Sequence, residues 1–153
     1  MALDGIDRAI IGELSRDGRA SYQQLSQAVG LAPNTVADRM RRLRESGVIT
    51  GSTVVIDERA LGMELGVLSD IKLHDGVSRV EFAESLTKVP QVIGALRLTG
   101  EYDYQLHIVC SGASELESVI EVLKSEYDVA SVNSRLILRE VPVDKAKLLE
   151  VVP

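Results

Sequence analysis

The sequence predicts an α+β protein in two parts, an N-terminal (winged) helix-turn-helix followed by a ferredoxin-like βαββαβ sandwich. Three observations carry that prediction. Before residue 47, apolar residues recur at helical spacing in three short runs, each closed by a glycine or an Asp-Gly pair. From Glu64 onward, β-branched runs and two helical runs alternate in the order β-α-β-β-α-β. Formal charge divides at the same place, +1 over residues 1–47 against −7 over residues 48–153.

The totals narrow the class. With 153 residues, 45% of them hydrophobic and 26% charged, the chain can build one ordinary domain or two small ones. Trp is absent and Phe82 is the single Phe, so the core must be aliphatic. Cys110 stands alone, which excludes a disulfide and a thiolate metal site and suits a reducing compartment. His74 and His107 lack metal-ligand spacing and read as surface or sheet residues, so no metal is expected. No apolar run approaches membrane-spanning length and MALDGIDRAI lacks a signal-peptide layout, so no membrane partner and a cytoplasmic location are expected.

The head takes residues 1–56. Asp4 is a candidate N-cap for a first helix lined by Ile6, Ile10 and Leu14 and broken at Asp17-Gly18. Ser21 and Gln24 form a capping-box pattern ahead of Leu25 and Val29, and Gly30 stops that second helix. In the third helix Pro33 suits the first position, and Val36, Met40 and Leu43 make one apolar stripe that ends at Gly47. Pro33, Asn34, Thr35, Asp38, Arg39 and Arg42 lie off the stripe. Such a face suits a DNA major groove, Arg for guanine or phosphate and Asn or Thr for base edges. Asp38 is odd there; it either accepts from cytosine or, the favoured reading, pairs with Arg42 at i,i+4. VITGSTVVID then predicts short strands at 48–50 and 52–56, a small wing or a pairing ribbon between subunits.

Residues 57–63 (DERALGM) read as a hinge with a brief helical turn, and residues 64–140 as the sandwich. Strands are expected at 65–74, 92–99, 104–110 and 129–138. Capping boxes at Ser78/Glu81 and Ser114/Glu117 open the two helices, giving a weak internal repeat of 36 residues. Val80, Ala83, Leu86 and Val89 line the first of these helices, and Leu116, Val119, Ile120 and Leu123 the second. Both helices lie on one face of the sheet. An uncovered aliphatic sheet face costs about 25 cal/mol per Å² of apolar area, which calls for a partner subunit. The tail, residues 141–153, carries Leu148, Leu149, Val151 and Val152 to cover an edge or a neighbour.

LDGIDRAIIGEL, VGLAPNTVADRMRRLRESGVITG and TGEYDYQL, in this order and spacing, resemble the Lrp/AsnC (feast/famine) transcription regulators from about residue 3 to about residue 140. The resemblance implies a helix-turn-helix head and a ferredoxin-like effector domain of the RAM type. It implies self-association through that domain, as dimers and often octameric rings, with an amino acid bound at interfaces between dimers. The family's effector loop matches Thr99, Gly100, Glu101, Tyr102 and Asp103, with Ser134 added by analogy. In that loop the Gly100 amide suits a carboxylate, Asp103 an α-ammonium and Tyr102 the ligand's side chain; a plain β-turn with two solvated acids is the alternative. Arg135 beside Ser134 departs from the family's usual pattern and bears on what a pocket accepts.

The expected function is sequence-specific DNA binding by a transcriptional regulator, with double-stranded DNA, other copies of the chain and an amino-acid effector as partners and no cofactor. An architectural protein that wraps DNA without an effector would use the same features. Catalysis is not expected: no Cys–His pair, phosphate-cradling loop or ligand cluster is present.

Overall fold

The computed structural model describes residues 3–151. They form two compact units, one containing the described residues up to Val55 together with those from Pro142 onward, the other Ile56–Val141.

The first unit is built on three helices, α1 (Gly5–Arg16), α2 (Tyr22–Val29) and α3 (Pro33–Glu45). α1 starts at a full capping box in which Asp4 accepts from the Asp7 N–H at 2.8 Å and the Asp7 carboxylate accepts in return from the Asp4 N–H at 3.4 Å. Ser21 and Gln24 close the same box on α2, and Gly30 ends it in the left-handed conformation at φ 69°. Pro33 stands at the start of α3. Ile10, Leu25, Val36, Met40 and Leu43 form the buried core of this unit, so each helix gives one narrow stripe to it.

Two expectations for this unit require correction. Residues 48–50 and 52–56 form no strand. A strand needs a neighbour for its N–H and C=O groups, and none among the described residues pairs with them; Val54, Val55 and Ile56 stand exposed, Val55 at 97%. The tail belongs to the first unit, where Lys145–Glu150 form a 3-10 turn beside α1 and Arg8 Nη1 donates to the Leu149 carbonyl at 3.4 Å. Leu148 and Val151 remain exposed, and Val152 lies outside the described residues.

The second unit runs β1 (Leu65–Leu73), α4 (Arg79–Ser85), β2 (Val92–Arg97), β3 (Tyr104–Cys110), α5 (Ala113–Glu126) and β4 (Val129–Leu136). All strand pairs are antiparallel in the order β2-β3-β1-β4, the ferredoxin-like arrangement. A 3-10 turn at Arg59–Leu61, ended by Gly62 at φ 82°, precedes β1. Val67, Ile71, Leu106 and Ile108 face Phe82, Leu86, Val119 and Leu123 from the two helices. Leu68, Asp70, His107, Gln105, Asn133 and Arg135 alternate with that set, which places them on the face without α-helices.

The helix starts differ from the expected repeat. Ser78 accepts from the Glu81 N–H, but no return bond completes the box. α5 begins at Ala113 after Gly112, and its first turn is tied by Glu115, which accepts from the Ser111 N–H and Oγ, both at 2.7 Å. Ser114 therefore lies inside the helix. On α4 the buried position is Phe82, followed by Leu86 and Val89 in the 3-10 turn (Leu86–Lys88) and the cap that succeed it, while Val80 and Ala83 face outward. Spacing alone allowed either stripe; the aromatic ring, 5.0 Å from that of Tyr104, took the core.

Candidate functional site: the third helix and the Gly100 loop

With Val36, Met40 and Leu43 packed inward, α3 turns Pro33, Asn34, Thr35, Asp38 and Arg42 to solvent. Its arginines are not equivalent. Arg41 pairs with Asp38 at 2.9 Å and lies 3.9 Å from Glu45. Asp38 thus takes Arg41 at i,i+3, not Arg42 at i,i+4; both spacings make neighbours on a helix. Arg44 donates to the Tyr22 hydroxyl at 3.3 Å. Arg42 makes no side-chain hydrogen bond or ion pair among the described residues. Its charge is uncommitted.

Arg39 departs most from the expected reading face. Its side chain is only 18% exposed, and Nη1 reaches both Asp4 at 2.6 Å and Asp7 at 2.7 Å. The Asp7 N–H and then the Arg39 guanidinium hold the Asp4 carboxyl below its ordinary range, and the two acids raise the guanidinium in turn. A signal for this was present in the sequence. Arg39 lies three residues after Val36 and four before Leu43, on the border of the buried stripe.

Between β2 and β3, Thr99, Gly100 and Glu101 are exposed, Tyr102 is half-buried and Asp103 is buried. Gly100 adopts φ 108°, and nothing lies within 4 Å of where a Cβ would sit, so backbone conformation and not crowding asks for glycine. The loop closes through the Leu98 N–H to the Asp103 carbonyl at 2.9 Å. The Asp103 carboxylate is occupied: Oδ2 accepts from the Leu73 N–H at 3.0 Å with Lys72 Nζ 3.6 Å away, and Oδ1 accepts from Arg79 at 2.9 Å. The Leu73 N–H does most to keep this acid below the usual carboxylate range. Tyr104 donates to the Arg79 carbonyl at 2.7 Å, so Arg79, absent from the sequence reading, joins the base of the loop to the start of α4. Beside it opens a groove of about 670 Å³ lined by Leu86, Val92, Ile93, Arg97 and Tyr104.

Ser134 is not brought to this loop. It sits on β4 with Oγ 2.8 Å from that of buried Ser69, and β1 and β3 separate it from β2. Arg135 pairs with Asp70 at 2.6 Å on the open face, where Gln105 donates to the same acid at 2.9 Å. Cys110 is buried and its thiol is pushed up by that burial. No group of three or more His, Cys, Asp or Glu side chains among the described residues is placed to hold a metal ion. No helix there is long and apolar enough to cross a membrane.

Two family models match the chain one after the other. A winged helix-turn-helix DNA-binding model matches residues 3–50, and the Lrp/AsnC ligand binding domain matches residues 67–146. The chain belongs to the Lrp/AsnC family. The transcriptional regulator FL11 of Pyrococcus horikoshii is 34% identical over 137 residues, which cover 90% of each chain. The regulatory protein AsnC of Haemophilus influenzae is 28% identical over 92% of this chain and 94% of its own. Among solved structures, the feast or famine regulatory protein of M. tuberculosis complexed with L-methionine is 30% identical. It superimposes with a TM-score of 0.86 over 94% of this chain and 97% of its own. This Lrp/AsnC protein is accordingly a transcriptional regulator with a helix-turn-helix DNA-binding part and an Lrp-type ligand-binding part. Its relatives are named as regulators, in a family that is not enzymatic.

Proposed function

We propose that this Lrp/AsnC regulator reads specific DNA sequences in the cytoplasm with the exposed face of α3, works as paired copies, and answers to an amino acid. One observation carries the reading: α3 buries its whole apolar stripe and leaves Asn34, Thr35 and the unpaired Arg42 outward. Asn and Thr are suited to base edges, and Arg42 to guanine or phosphate, with Pro33 and Asp38 at the margin of the contact. The net charge of −6 argues against strong binding by one head. Useful affinity then comes from two heads held together, the second binding at high effective concentration. The mixed open face of the sheet, with Leu68 beside the Asp70–Arg135 pair, supports another copy as its cover.

For the effector, the exposed Gly100 amide offers a donor to a carboxylate, and Thr99, Glu101 and Tyr102 surround it. Asp103 serves by fixing the loop, since its own oxygens are already bonded within the chain. Ser134 contributes only if a neighbouring copy brings it near, which ties ligand binding to assembly. The adjacent apolar groove supports a ligand with an aliphatic side chain, and related regulators of M. tuberculosis and Neisseria meningitidis have been crystallised with L-methionine.

The test uses a duplex enriched by the protein from a random-sequence pool, with a scrambled duplex as reference. Asn34→Ala should relax specificity at one position, at a cost equivalent to about 1–3 kcal/mol. Tyr102→Ala should keep DNA affinity and lose the rise in melting temperature that L-methionine gives the parent. Parent-like selectivity in Asn34→Ala would remove α3 as the reader. An undiminished methionine response in Tyr102→Ala would remove the loop.

A further inference from the structure

We infer that Arg39 is a positioning residue, which sets the pose of α3 by clasping the N-terminus of α1 and does not itself touch DNA. The inference rests on the reading that α3 enters DNA and adds what fixes that helix in place.

The geometry is specific. One nitrogen, Nη1, lies 2.6 Å from Asp4 and 2.7 Å from Asp7, and the same two carboxylates carry the capping box of α1. Helix start and helix-to-helix bridge are therefore one network. Asp7 is 2% exposed, and Arg39 is its one ion-pair partner among the described residues. A buried carboxylate stripped of its cation is left uncompensated, so the guanidinium is held where it is. The electrostatics agree with the geometry. Two acids surround one cation, so the cluster offers a polyanion no net positive charge. Arg42, three residues on and further from the buried stripe, has no such partner among the described residues and keeps its charge for phosphate or guanine.

The two roles predict opposite responses to salt and to charge removal. A cation that contacts phosphate contributes about 0.9 to the slope of log affinity against log salt, and a positioning residue contributes nothing to it. Binding is measured by titration on the pool-selected duplex from 50 to 300 mM salt, at a temperature where circular dichroism shows each variant folded. Arg39→Ala and Asp7→Asn should each weaken binding about five- to a hundredfold, the range of one misplaced base contact, with the parent's slope. The double variant should be no weaker than the weaker single one. Asp4→Ser keeps a good N-cap and removes only half of the bridge, so it serves if the others fail to fold; it should weaken binding severalfold, again with unchanged slope.

Asp7→Asn decides the matter by sign. If Arg39 contacts DNA directly, removing a nearby negative charge leaves binding equal or tighter, and Arg39→Ala lowers the slope by about 0.9; that pair of results would overturn the inference. Parent affinity in both variants would overturn it too. Arg42→Ala is the control for the underlying reading and should lower the slope by about 0.9. If it leaves affinity and slope unchanged, α3 is not the reader and the inference falls with it. If it lowers the slope and Arg39→Ala does so as well, only the positioning role is lost.

Discussion

Two carboxylates of the second unit act as staples between backbone segments. Asp103 ties the Leu73 N–H on β1 to Arg79 on α4, and Glu115 ties Ser111 and Gln91 to the start of α5. Asp103→Ala should destabilise the sandwich by about 1–3 kcal/mol, because the buried Leu73 N–H loses its acceptor; urea denaturation measures this. Glu115 gives a pH prediction. The Ser111 N–H, Gln91 and the Ser111 hydroxyl bring its carboxyl from 4.5 to about 2 in the folded chain. A depressed folded value means stability that is present above 4.5 and is lost as pH falls toward 2. Between pH 7 and pH 3 the parent should therefore lose more stability than Glu115→Gln, which cannot titrate. Equal losses would show that Glu115 is not the group responsible.

At the scale of elements, caps and stops decide where helices lie. Gly30 at φ 69° ends α2 just before α3 begins. Nothing crowds its missing Cβ, so Gly30→Ala carries only the backbone penalty, about 1–2 kcal/mol. Thermal unfolding of the head should register that loss. These signals were legible in the residues: Asp4, the Ser21–Gln24 box, Pro33 and the stripe of Val36, Met40 and Leu43 place the first three helices. Ser78 caps α4 as expected, without the return bond, whereas the box at Ser114 was misleading because serine caps by local geometry that another partner can displace. Glu115 found Ser111, four residues back, and also Gln91, a contact no local pattern contains. The β-branched run at 52–56 has strand propensity without a strand partner among the described residues. The clasp on Arg39 was half legible, since its border position on the stripe is visible but the distant Asp7 that fills it is not.

At the scale of the molecule, an acidic chain carries a small reading head whose free charge comes down to a few groups such as Arg42. The sandwich leaves one sheet face without helices and presents a glycine loop at one end. We propose that the open face is covered when copies associate. On this account DNA affinity is a property of paired heads, and effector response a property of how they are paired. Leu68, on the open face of the central strand β1, is the place to test it. The decisive measurement is sedimentation together with DNA titration of Leu68→Glu, with circular dichroism confirming its fold. The account predicts a monomer that binds the selected duplex at least about a hundredfold more weakly than the parent. A folded monomer with the parent's affinity would contradict it.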